Sequence, residues 1–67
     1  MTLRNLEIFV KTCETCNMTV AAQQLYISQS AVSHAISQLE EYFNITLFIR
    51  QANRIYLTAA GTQLLAH

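Results

Sequence analysis

The sequence predicts a mainly α-helical single domain: three helices, then a hairpin of two short strands, then the start of a further helix. Three observations predict it. Apolar residues recur at three- and four-residue steps as far as Phe43; that period stops at Asn44 and gives way to two short β-branched and aromatic runs; and the 67 residues include one Gly and no Pro, so little interrupts a helix. At 52% hydrophobic the chain is too apolar for a disordered linker. Its length allows one domain with a thin core, in which about 60% of the extended chain's surface is buried. The formal charge is zero, so net charge selects no partner.

The first helix carries its apolar stripe on Leu3, Leu6, Phe9, Val10 and Cys13, extending towards Cys16, with Thr2 as its candidate cap. Asn17 and Thr19 offer acceptors ahead of a short second helix, Val20 to Leu25, whose paired Ala21 and Ala22 allow close helix approach. Ser28 is the expected N-cap of a third helix with Val32, Ile36, Leu39 and Phe43 on its apolar face and Gln29, Ser30, Ser33, His34, Ser37 and Gln38 opposite. Asn44 suits a left-handed terminator. Thr46 to Arg50 and Arg54 to Thr58 read as strands around Gln51-Ala52-Asn53. The hairpin must lie on the helices, because an isolated one is marginal. Thr58 then caps a last helix through Ala59, Ala60, Leu64 and Leu65, in which Gly61 lowers local propensity. No repeat or low-complexity segment divides residues 1–67.

Two helices joined through Tyr26-Ile27-Ser28-Gln29, the second polar and free of acidic residues on its leading outward face, fit a helix-turn-helix, and the hairpin after them fits its wing. The chain resembles the N-terminal DNA-binding domain of the LysR-type transcriptional regulators. The resemblance is carried by Leu6 and Phe9; Ala21-Ala22 and Leu25; Ser28-Gln29 with Ala31-Val32-Ser33; Ile36, Leu39 and Glu40; and Leu47-Phe48, Arg50, Arg54, Leu57-Thr58 and Gly61. It spans nearly the whole chain and implies a winged helix-turn-helix with residues 59–67 opening a linker helix. It further implies a longer regulator that forms a homodimer and binds a small-molecule effector through a C-terminal domain this chain does not contain. The sequence departs from the family pattern at Cys16-Asn17-Met18, where Gly-Ser and an aromatic are usual, and at Ser30 and Asn44, where Pro and Gly are usual. At His34, where Arg is common, it lacks a permanent charge.

The implied function is sequence-specific binding of double-stranded DNA for transcriptional regulation, with the third helix in the major groove. Gln29, Ser33, His34 and Ser37 are the candidates for base edges, Gln being able to bond adenine twice. Ser28 and Ser30 stand at a helix N-terminus, where free N–H groups and the dipole favour phosphate. Gln38 reaches towards the flanking backbone. Arg50 and Arg54 can each grip a phosphate through two parallel hydrogen bonds, and Thr58 either touches phosphate or only caps. Side-chain charge divides unevenly, −2 over residues 1–41 and +2 over residues 42–67. An arginine, Arg50 more than Arg54, could instead pair internally with Glu40 or Glu41.

Other chemistries fit less well. Cys13 and Cys16 are spaced as C-x-x-C, but no strand–helix redox context or set of about four zinc ligands accompanies them; core and turn packing are expected. Ser30 and His34 lie one turn apart, yet the chain has no Asp and little volume for a substrate pocket, so no enzymatic activity and no cofactor are expected. The competing function is a winged-helix protein-interaction or dimerisation module using Leu64 and Leu65. No apolar run approaches the roughly 20 residues of a bilayer span and no signal peptide is seen, so the expected location is cytoplasmic, with no membrane partner.

Overall fold

Polar caps and left-handed stops divide the chain into its elements. The computed structural model describes residues 2–51 and 54–66; the Arg54 side chain also lies outside the described set, as do Ala52 and Asn53 of the expected hairpin turn. The order is α1 (Leu3–Thr15), α2 (Met18–Leu25), α3 (Gln29–Phe43), β1 (Phe48–Gln51), β2 (Arg54–Leu57) and α4 (Ala59–Ala66). The mainly helical winged arrangement is therefore as the sequence predicts.

Thr2, Asn17 and Ser28 cap α1, α2 and α3, each accepting from a main-chain N–H in the first turn. Asn17 accepts from both Thr19 and Val20 N–H, which starts α2 at Met18, ahead of the expected Val20, and buries Met18 in the core. The three helices stop at Cys16, Tyr26 and Asn44, all left-handed with φ of 54°, 59° and 55°. After α2 and α3 the next residue closes a longer loop: Ile27 N–H donates to Ala22 O at 3.0 Å and Ile45 N–H to Glu40 O at 3.1 Å. Both isoleucines pack on the core, the usual apolar partner of such a terminus.

The core is formed by Ile8, Phe9, Met18, Ala22, Val32, Ala35, Ile36, Leu39, Leu47 and Phe48. In α1 the buried residues are Asn5, Ile8, Phe9 and Thr12; of the expected stripe Phe9 is in the core and Leu6 and Cys13 pack half-buried against it, whereas Leu3 and Val10 are exposed. Two polar residues fit inside because their polar atoms are satisfied: Thr12 Oγ1 donates to Ile8 O at 2.7 Å and Asn5 Nδ2 donates to Gln38 Oε1 at 2.9 Å. Leu3 is 73% exposed, and with Leu6, Val10 and Leu25 it lines a shallow outer groove. Cys16 is exposed rather than filling the turn. Phe43 packs at the edge of the core, and Ala35 takes a central place on the α3 face.

β1 and β2 pair antiparallel with Phe48 opposite Leu57 and Gln51 opposite Arg54. Thr46 and Leu47 therefore precede the first strand rather than belonging to it. Thr58 caps α4: its Oγ1 accepts from Gly61 N–H at 3.0 Å while its own O–H points at Thr46 O and Leu47 O. Gly61 matters for contact rather than for propensity. A Cβ there would stand 2.6 Å from Leu47 O and 2.6 Å from Leu57 Cδ1, and Leu47 O is already held by Thr58 N–H at 2.9 Å. Gly61→Ala is expected to cost about 1–2 kcal/mol net, overpacking exceeding the helix-propensity gain. Thermal unfolding checks this; a stabilised variant would contradict the close approach. Among the described residues, no helix is long and apolar enough to cross a membrane.

Candidate nucleic-acid interface

α3 buries Val32, Ala35, Ile36 and Leu39, and that choice determines what faces outward. Gln29, Ser30, His34, Ser37 and Gln38 are exposed and Ser33 is half-buried. These positions follow one another at helical spacing, so they form a continuous face over the first ten residues of the helix. Ser28 Oγ accepts from Ala31 N–H at 3.1 Å; the cap consumes an acceptor site and leaves its O–H to donate. No acidic residue stands in the first turn, whereas Glu41 is exposed towards the C-terminal end. Helix dipole and side chains thus act in the same direction, the leading end attracting anions and the trailing end repelling them.

The wing is fixed to this helix at two places. Glu40 Oε2 accepts from Leu47 N–H at 2.7 Å and from Phe48 N–H at 3.4 Å. Two helical turns earlier, Ser33 Oγ accepts from Arg50 Nη2 at 3.0 Å. β1 consequently runs back along α3, and Arg50 stands on the side of the outward polar face. The alternative of Arg50 pairing with Glu40 or Glu41 is not adopted; the Glu40 carboxylate is turned to the main chain where β1 begins, and the ion pairs among the described residues are Arg4–Glu7 and Lys11–Glu14. Arg54 occupies the first position of β2 opposite Gln51, with its side chain outside the described set. Gln38 is exposed but its Oε1 is taken by Asn5; its amide N–H groups meet no acceptor among the described residues and are available to an outside one. The hydroxyl of Thr58 is committed to capping α4. Sequence reasoning missed the Asn5–Gln38 and Arg50–Ser33 bonds, which join residues 33 and 17 positions apart and leave no local signal.

The two cysteines are free. Cys16 Sγ donates weakly to Cys13 O at 3.4 Å. Burial pushes the Cys13 thiol up from 9.0 to about 11, with Cys16 and Glu14 adding to the effect. The packed group is a protonated thiol at neutral pH, a poor nucleophile and a poor metal ligand. Between those two values the unfolded chain releases this proton and the folded chain keeps it, so stability falls as pH rises. Unfolding scans across this alkaline range are expected to show a decline that Cys13→Ala reduces; parallel curves for the two proteins would refute the linkage.

Comparison with known proteins places this geometry among relatives. Residues 3–62 match the family described as bacterial regulatory helix-turn-helix protein, lysR family. The chain is 46% identical over 68 residues to the uncharacterised HTH-type transcriptional regulator YvbU of Bacillus subtilis, covering 100% of this chain and 23% of that protein. It is 45% identical over 62 residues to the HTH-type transcriptional regulator HdfR of Escherichia coli, covering 92% of this chain and 22% of that protein. It thus spans less than a quarter of the length of either regulator. Among solved structures, the CbnR DBD–DNA complex superposes with a TM-score of 0.94 at 35% identity, covering 98% of this chain and 76% of that one. A LysR-family transcriptional regulator from Eggerthella lenta gives 0.89 at 39% identity, covering 96% and 91%.

Proposed function

Because this chain belongs to the LysR family of bacterial regulatory helix-turn-helix proteins and is a winged helix-turn-helix DNA-binding domain of that family, we propose that it reads double-stranded DNA with α3 in the major groove and the wing on the flanking backbone. The observation that carries this reading is the outward, acid-free leading face of α3 with Arg50 bonded to Ser33 beside it. Gln29, Ser33, His34 and Ser37 face base edges. Ser28 and Ser30 receive phosphate at the helix N-terminus, with Gln38, Arg50 and Arg54 on neighbouring phosphates. Thr58 is the least available of the proposed backbone contacts, since its hydroxyl serves α4. The CbnR DBD structure that superposes on this chain is a complex with DNA, which supports the proposal.

A full-length regulator of this type would act in the cytoplasm as a homodimer, take a small-molecule effector in a separate domain, and place two linked heads on an inverted-repeat site. Titration of labelled duplexes at several salt concentrations tests the reading by the head itself. Affinity is expected to fall with salt and to depend on duplex sequence. Arg54→Ala should weaken most duplexes alike and reduce the salt slope by about one, whereas Ser33→Ala and His34→Ala should change preference more than overall affinity. Unchanged affinity and preference in all three would refute the contacts; salt-independent, sequence-blind behaviour would favour a protein-interaction module.

A further inference from the structure

Arg50 does more than carry charge on the wing. Its Nη2 donates to Ser33 Oγ at 3.0 Å across 17 positions of sequence, and β1 is held in that position by Glu40 on Leu47 and Phe48 N–H. A serine hydroxyl has one O–H and two lone pairs. The guanidinium occupies a lone pair and puts its positive charge beside the oxygen, so a second donor approaching Oγ is opposed. The O–H has no acceptor among the described residues and is polarised towards donation.

We infer that Arg50 is a positioning residue that fixes Ser33 as a hydrogen-bond donor, so that the base facing Ser33 is selected by an acceptor on its major-groove edge. Those acceptors are N7 or O6 of guanine, N7 of adenine and O4 of thymine; the amino group of cytosine, a donor there, is rejected. The wing thereby influences base choice at a position it does not touch. This inference rests on the groove reading proposed above.

The test begins with duplexes recovered by the wild-type chain from a randomised pool. Every base pair of a recovered duplex is then varied singly, and affinities are compared among wild type, Ser33→Ala, Arg50→Met and the double variant. Arg50→Met keeps a long apolar stem without the donor, and Arg50 is exposed, so an unchanged unfolding temperature establishes that the variant folds. At the position where Ser33→Ala relaxes preference, the wild type should favour acceptor bases over cytosine by about fivefold to tenfold. Arg50→Met should relax that same position as well as weakening binding overall, and the double variant should lose no further preference there.

Three results would overturn the inference while leaving duplex reading intact. These are a uniform weakening by Arg50→Met with preference at the Ser33 position preserved, a preference for cytosine there, or sequence-selective binding in which Ser33→Ala alters no position. Absence of duplex-dependent binding by the wild type would instead remove the groove reading, and this inference with it.

Discussion

Phe9→Ala is expected to remove a third or more of the domain's stability. Phe9 is 1% exposed, and its ring lies 5.6 Å from that of Phe48 at a tilt of 52°. One side chain thus joins α1 to the first residue of β1. Truncating a buried phenylalanine costs about 3–5 kcal/mol, and a domain of this size has a total stability of roughly 3–10 kcal/mol. Neighbours can fill the space poorly, because Val32, Leu39 and Leu47 around the same core are each 0% exposed and already fully packed. Urea unfolding followed by far-ultraviolet circular dichroism measures the loss. A cost below about 1 kcal/mol would mean that the helices and the wing do not share one core.

Glu40→Ala is the second large effect, and it acts on the wing. The carboxylate supplies the acceptor for Leu47 N–H at 2.7 Å and assists Phe48 N–H at 3.4 Å. Leu47 is 0% exposed, so its N–H has little access to water once the acceptor is removed. A hydrogen bond to a charged group contributes about 1.5–3 kcal/mol, and a stranded buried donor adds to the loss. The expected destabilisation is about 2–3 kcal/mol, with Glu40→Gln recovering part of it because the amide oxygen still accepts. Hydrogen exchange supplies a local readout: the Leu47 amide should lose protection in Glu40→Ala more than amides in the middle of α1 do. Equal loss everywhere would place the effect of Glu40 in the core at large.

How far the architecture was legible depended on the range of the interaction concerned. Ser28 and Asn44 announce the ends of α3 through side-chain capping and tolerance of positive φ, both local properties, and both serve as expected. The outward polar residues of α3 were equally readable, because a helix that buries Val32, Ile36 and Leu39 has only one face left to expose. α1 was misread because hydrophobicity alone cannot foresee that Asn5 and Thr12 find partners inside. Leu3 and Val10, which the same spacing puts on the stripe, face outward instead. Glu40 reads in sequence as a candidate internal partner for Arg50 and instead holds the wing, since its carboxylate and the Leu47 and Phe48 N–H groups meet only after the chain has turned back. Gly61 carried a propensity penalty in sequence, while its reason is the proximity of Leu47 and Leu57.

The left-handed residues Cys16, Tyr26 and Asn44 have a consequence for the denatured ensemble. Each terminates a helix at a geometry that costs Cys16 and Tyr26 about 1–2 kcal/mol and Asn44 less, and that glycine would adopt freely. A glycine, however, would enlarge the set of conformations lost on folding, by the equivalent of about 0.4–1 kcal/mol at each site. The chain accepts strain in the native turns and in return begins from a stiffer, less disordered coil, which offsets part of that strain in a domain whose margin of stability is small.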